Sequence, residues 1–229
     1  MSGFKTAFFS FFIMKSKKFW VLFSLFILPL VFYILLLTGT NNFAKLPVLT
    51  EKVSDISHFT TDDNSQLTLE GKISILCFLG VDLEKSQTNA LTLNEKIYKH
   101  FHRFRDFQFI VVLPYGMEEQ AKELKNKIAF ATDMSKWKFV FGSAEDINLV
   151  FDGLKTNYSL NSGSYSPYAF IIDKDMRLRG RENDEDSSDG ILYGYSAETV
   201  APIHKKMVDD VKVLVAEYRL ALKKNKREI

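Results

Sequence analysis

Residues 19–38, FWVLFSLFILPLVFYILLLT, form an unbroken run of twenty residues without a charge, and no other feature of the chain constrains its folding as much. At about 1.5 Å per residue, a helix of that length crosses a hydrocarbon core of about 30 Å. Leu, Ile, Phe and Val each favour insertion by roughly 0.3–0.6 kcal/mol near the bilayer centre, which outweighs Ser24 and Pro29. Pro29 removes one backbone donor, and a membrane helix tolerates this where nearby groups compensate. A buried core helix is the competing reading, and the length of the run argues against it. Lys5, Lys15, Lys17 and Lys18 precede the run, whereas the twenty residues after it hold only Lys45 and Lys52. That asymmetry predicts a cytoplasmic N-terminus (residues 1–18), a transmembrane helix (19–38) and a C-terminal domain that is periplasmic or otherwise extracytoplasmic. A cleaved signal peptide would have an apolar region of about 7–15 residues and an Ala-x-Ala-like site, which Thr38-Gly39-Thr40 matches weakly, so an uncleaved anchor is the expectation. The aromatic stretch 4–14 suits the headgroup region.

Residues 39–53, with Pro47, read as a tether, and residues 54–229 as one domain without internal repeats or a second linker. About 190 residues beyond the anchor are enough for one full core. The net charge of +2 argues against a concentrated phosphate-binding surface, so nucleic acid is not an expected partner. The bilayer is.

Within the domain, the order of elements defines the fold class. A hairpin is predicted from 56–59 and 66–69, then a buried strand at 73–79, ISILCFL, bounded by Gly71-Lys72. Leu93, Ile97, Phe101 and Phe104 share one helical face, and FQFIVVL at 107–113 is a second buried strand ending at Pro114. Met117, Ala121, Leu124 and Ile128 mark another amphipathic helix. A short strand at 137–141 and a short helix at 144–152 follow. YAFIID (168–173) and MRLR (176–179) flank a Lys174-Asp175 turn. A last helix over 197–224 places Val200, Ile203, Met207, Val211, Leu214, Tyr218 and Leu222 on one stripe, with Lys223, Lys224, Lys226 and Arg227 near its C-terminal end, where the dipole favours cations. Strands alternating with helices, then a hairpin and a closing helix, imply an α/β fold: a mixed sheet with flanking helices, in thioredoxin-like order, preceded by one transmembrane helix.

Several segments then resemble one family. LEGKISILCFLG (69–80) is similar to the opening of Sco/SenC proteins, thioredoxin-like, membrane-anchored copper proteins. SPYAFIIDKD (166–175) resembles that family's strand before the final hairpin, and RLRGR (177–181) the strand after it. The anchor, the tether with Leu46-Pro47 and the long last helix also fit, so the likeness runs from about residue 19 to 218. The resemblance implies two cysteines at CxxxC spacing after the first buried strand and a histidine before the late one. Thiolates and imidazole make a soft copper site, and paired thiols exchange with disulfides. Here Glu84 and Thr88 stand at the cysteine positions and Tyr165 at the histidine position. The chain therefore reads as a degenerate, non-redox member, with no cofactor and no catalytic residues expected.

The sole cysteine, Cys77, lies in an apolar strand and reads as a small apolar side chain. His100 and His102 point apart on a helix and read as a solvated basic end. His58 and His204 belong to no metal spacing. The acidic loop 182–190 misses the EF-hand pattern, since Gly190 comes one place late, and reads as a solvated or partner-facing loop. Phosphate loops, nucleophile elbows and zincin motifs do not occur. Trans is the usual state of any X-Pro bond, but a cis bond at Ser166-Pro167, as thioredoxin-like folds have at that turn, would border the binding surface and place Tyr165, Ser166 and Pro167 with residues 81–88. Asp82, Glu84, Thr88, Tyr165, Ser166 and Pro167 are thus the expected binding surface of a non-enzymatic binding or assembly module, acting near a respiratory or other membrane protein complex. The alternative is a copper-handling or thiol-dependent protein using Cys77, Asp82 and Glu84 as non-standard ligands. A third reading is a structural protein whose domain spaces its partners.

Overall fold

A computed structural model describes residues 3–38, 45–62, 65–129 and 133–225. The chain divides into two compact units, Met1–Phe43 and Ala44–Ile229.

The first unit is helix α1, Gly3–Thr38, with Pro29 inside it. It starts well before the predicted residue 19, because residues 4–18 contain neither proline nor glycine to break it. Over Lys18–Leu35 it is long and apolar enough to cross a membrane, and none of that stretch is buried. A helix apolar on every side and covered by nothing has no core to join in water.

Of the segment read as a tether, residues 39–44 lie outside the described residues, Leu46 is buried, and Val48–Thr50 form strand β1. The second unit continues with β2 (Thr60–Thr61), β3 (Ile73–Leu79), α2 (Leu83–Leu93), a π-helical turn (Asn94–Tyr98), α3 (Lys99–Phe101), β4 (Phe107–Pro114), α4 (Glu118–Ala129), β5 (Trp137–Gly142), α5 (Ala144–Asp152) and β6 (Tyr165–Ile172). Then come β7 (Leu178–Arg179), β8 (Arg181–Glu182), β9 (Ile191–Leu192), β10 (Tyr195–Ser196), α6 (Val200–Pro202), a second π-helical turn (Ile203–Met207) and α7 (Val208–Asn225). The main sheet has the order β1-β7-β6-β3-β4-β5-β2, with β10 also paired to β6, and β8 pairs with β9. Strands β3, β4 and β5 are parallel, while β6 is antiparallel to β3, β7 and β10. This is the expected mixed sheet.

The buried strands are apolar on both faces because both are covered. Ile75, Cys77, Phe109, Val111, Phe139 and Ile171 join one core with α2, α4 and α7. Leu76, Phe78, Ile110, Val140 and Phe170 face the other, closed by α5 and by Ile56, Phe59, Leu67 and Leu69. At roughly 1.5–3 kcal/mol per fully buried large apolar side chain, these two layers are the main force holding the sheet.

Four predicted elements differ. The hairpin of 56–59 with 66–69 does not form; Thr60 and Thr61 pair instead with Phe141 and Val140 of β5. Asp55 accepts hydrogen bonds from Thr68 Oγ1 and the Leu69 amide, which offers that backbone a partner other than a strand ladder. The late hairpin has a loop of residues 174–176, not a two-residue turn: the Asp173 amide donates to the Arg177 carbonyl at 3.0 Å, and Met176 takes the left-handed conformation. The first and last domain helices each contain a π-turn that local pattern did not reveal, and the two turns lie against each other in the core. On the last stripe Ile203, Met207, Val211 and Leu214 are fully buried, whereas Val200 is exposed. The side chain of Leu222 and the basic residues 223–227 lie outside what is described.

Candidate functional site

The site is built where β3 ends. Gly80 follows the strand with φ +69°, and a Cβ there would lie 2.6 Å from the Gly163 carbonyl oxygen and 2.7 Å from Tyr165 Cβ. Glycine alone lets the strand end meet the turn before β6. The Val81 amide then donates to the Gly163 carbonyl at 3.0 Å. Asn161 Oδ1 accepts from the Gly163 and Tyr165 amides at 2.9 and 3.0 Å, which shapes the turn around Ser164 at φ +58°.

Asp82 caps α2, its Oδ1 accepting from the Lys85 amide at 3.2 Å, and its carboxylate pairs with Lys85 Nζ at 2.7 Å. The hydrogen bond from Lys85 holds the Asp82 carboxyl below its ordinary range. Ser86 Oγ donates to the Asp82 carbonyl. One turn further, Asn89 Nδ2 donates to Tyr165 Oη at 2.9 Å, and Tyr165 Oη donates to Glu198 Oε1 at 3.0 Å. This bridge joins α2, β6 and the segment entering α6. Burial, and then the hydrogen bond and charge of Glu198, push the Tyr165 phenol up to about 12, so it remains a donor at neutral pH.

The bridge crosses a cavity of about 480 Å³ lined by Asp82, Thr88, Asn89, Tyr165 and Glu198, among others. A second cavity of about 280 Å³ adjoins it, sharing Val81 and Asp82 and including Glu84, Glu123 and Lys127. Asp82, Thr88 and Tyr165 therefore line one cavity, while Glu84 opens on the neighbouring one. Ser166 is buried, with its Oγ accepting from the Tyr168 amide. The Pro167 carbonyl accepts from the Ala197 amide at 2.8 Å, so that part of β6 is already paired. Neither residue lines the two cavities. The Ser166-Pro167 bond is trans, as are all peptide bonds among the described residues. Sequence reasoning missed Asn89, Asn161 and Glu198. A polar Asn89 on the buried face beside Ala90 and Leu93 was the one available signal.

The donors at the three positions that the resemblance assigns to copper ligands are a carboxylate, a hydroxyl and a protonated phenol. These are hard oxygen groups, and they do not fit a soft copper site. Among the described residues no three His, Cys, Asp or Glu side chains gather to hold a metal. Cys77 is 2% exposed, its thiol faces the Ile110 carbonyl, and burial raises its pKa far above the ordinary range, so thiolate is withheld. The acidic loop closes on itself: buried Asp184 pairs with Lys206 at 2.7 Å, and the Asp184 amide donates to the Gly190 carbonyl. His102 Nδ1 sits against the Tyr98 and Lys99 carbonyls at the end of its helix.

No protein-family model matches the chain, and no curated protein matches it. Solved structures do. BsSco, described as a member of the Sco family of cytochrome c oxidase assembly proteins, is similar over 75% of this chain and 98% of its own, with 15% identity and a TM-score of 0.54. A SCO1/SenC family lipoprotein from Bacillus anthracis is similar over 75% of this chain and 99% of its own, with 19% identity and a TM-score of 0.54. A candidate protein disulfide isomerase from Bacteroides thetaiotaomicron is similar over 76% and 95%, with 13% identity and a TM-score of 0.51. The fold is thus the thioredoxin-like fold of Sco proteins, as the resemblance implied.

Proposed function

We propose that this chain is a membrane-anchored binding or assembly module with a Sco-type domain outside the cytoplasm, and that it works without thiol or copper chemistry of its own. The observation that carries this reading is the Asn89–Tyr165–Glu198 bridge. Where the resemblance assigns soft ligands on α2 and before β6, hydrogen bonds between oxygen and nitrogen groups link the same elements. Such a bridge holds the surface in one arrangement without a metal, and preorganisation of that kind lowers the ordering cost of binding a partner. BsSco is described as one of a family of cytochrome c oxidase assembly proteins. By analogy we place this module beside a respiratory or other membrane protein complex.

Binding is proposed to centre on Asp82, Thr88 and Tyr165, with Glu84 at the side and Ser166 and Pro167 supporting them from below. The segments 1–18, 19–38, 39–53 and 54–229 are proposed as cytoplasmic tail, span, tether and binding domain. Two measurements test the reading. Full-length protein in detergent should take up Cu(I) no better than a control protein of similar size, and stoichiometric uptake through Cys77 or a histidine would overturn it. Photo-crosslinking from position 88 in intact cells should capture a membrane protein, and Cys77→Ser should leave that capture unchanged.

A further inference from the structure

Two cavities side by side, each with an unpaired acid, suggest what the surface recognises. In the larger cavity Asp82 and Lys85 neutralise each other, which leaves Glu198 with the neutral Tyr165 hydroxyl as its partner. In the smaller, Glu84 and Glu123 stand with Lys127, whose Nζ reaches Gln87. Glu84, Glu123 and Glu198 form no ion pair with any described residue. Between the cavities stands Val81, which lines both and is 54% exposed. Two more exposed apolar side chains, Tyr115 and Val200, lie on the same end of the sheet: Tyr115 directly follows β4, and Val200 opens α6 two residues after Glu198. The carboxyl ends of parallel strands are where open α/β sheets bind their ligands.

Resting on the binding reading above and extending it, we infer that this surface takes a polypeptide segment that carries cationic side chains on both sides of an apolar residue. The apolar residue covers Val81. One Lys or Arg enters the larger cavity toward Glu198, and the other reaches Glu84 and Glu123. Volumes of about 480 and 280 Å³ are ample for one long side chain each. The Tyr165 and Asn89 groups hold the Glu198 carboxylate in place before the ligand arrives, so little ordering is left to do on binding. A segment with acidic residues at those positions would meet like charge and be rejected.

The test uses full-length protein in nanodiscs of zwitterionic phosphatidylcholine, which do not themselves attract basic peptides. The probes are short fluorescent peptides repeating Lys-Leu-Ser, Gln-Leu-Ser or Glu-Leu-Ser, and the readout is anisotropy at low and moderate salt. The basic peptide should bind about tenfold tighter than the neutral one, with the advantage shrinking as salt rises. Glu198→Gln keeps the acceptor for Tyr165 and should remove roughly threefold of that advantage, as should the pair Glu84→Gln and Glu123→Gln. Equal binding of all three peptides overturns the inference, as does an advantage that survives both sets of substitutions. If the neutral peptide binds best and Val81→Asp abolishes it, the charge class is wrong while the binding surface stands. Failure of the crosslinking experiment at position 88 would instead sink the binding reading itself.

Discussion

At the scale of the residue, two side chains concentrate the consequences. Tyr165→Phe removes both bonds of the bridge and leaves Asn89 facing an apolar ring edge. We expect a loss of about 1 kcal/mol in urea unfolding and a weaker capture of the partner. Arg179 is 2% exposed and donates to Asp173, to Glu217 and to the Leu46 carbonyl, with Asp173 itself fully buried. Arg179→Met removes the donors to Glu217 and the Leu46 carbonyl and leaves the buried Asp173 with Arg177 as its remaining cation, and should destabilise the domain by about 3 kcal/mol, measured the same way. Tyrosine ionisation provides a further check. Burial raises Tyr158, Tyr165 and Tyr218 to about 12, against about 10 in an unfolded chain. A folded pKa above the unfolded one means the stabilisation is complete below pH 10 and is lost as pH climbs toward 12. Phenolate absorbance should therefore appear late in the folded protein, and unfolding should be easiest at the alkaline end of that window. On the acid side, the hydrogen bond from Lys174 holds Asp106 below its ordinary value, so its contribution is lost as pH falls below about 3.8. Glu84, Thr88 and Tyr165 were singled out in the linear chain by a resemblance. Glu198, the acceptor for the Tyr165 hydroxyl, was not, because a contact between residues 33 apart leaves no local pattern.

Elements were read well where one period dominated over a sufficient length. The strands at 73–79 and 107–113 and the helix at 144–152 agree with the structure almost to the residue, because short apolar runs rich in branched and aromatic residues and bounded by turn residues favour strands, and a clear apolar face favours a helix. The pattern was insufficient where side chains compete with the backbone. Residues 56–69 carry the apolar residues of a hairpin, yet Asp55 captures the backbone, and the side chains enter the core from loops. Both π-turns were invisible for a related reason: they shift the register of a helix by one residue to suit a facing helix. At the end of β3, Gly80→Ala must place a methyl group against the Gly163 carbonyl at a positive φ. We expect more than about 1 kcal/mol of destabilisation, together with separation of the 161–165 turn from α2. Amide exchange at Val81, whose proton is held by Gly163, would report that separation directly; unchanged protection would contradict the account.

For the whole molecule, α1 and the domain make opposite demands on solvent. The Lys18–Leu35 stretch of the helix is apolar and unburied, while the domain closes two cores and leaves most of its charges exposed. Full-length protein should accordingly stay with pelleted membranes through a high-salt wash, and a chain beginning at residue 44 should remain in the supernatant. Recovery of the full-length protein in the supernatant would refute the anchor. What the sequence determined by itself was this division into an apolar helix long enough to cross a membrane and an α/β domain, along with the order of the buried strands. Both follow from the length and period of apolar runs, which are local quantities and set the solvent each segment prefers. The site was decided only by the tertiary structure. A carboxylate from the start of the last helix, an amide from the first domain helix and a phenol from a central strand meet there because the sheet brings its strand ends to one edge. Hydrogen bonds a few ångströms long depend on that packing, and the spacing of residues along the chain does not encode it.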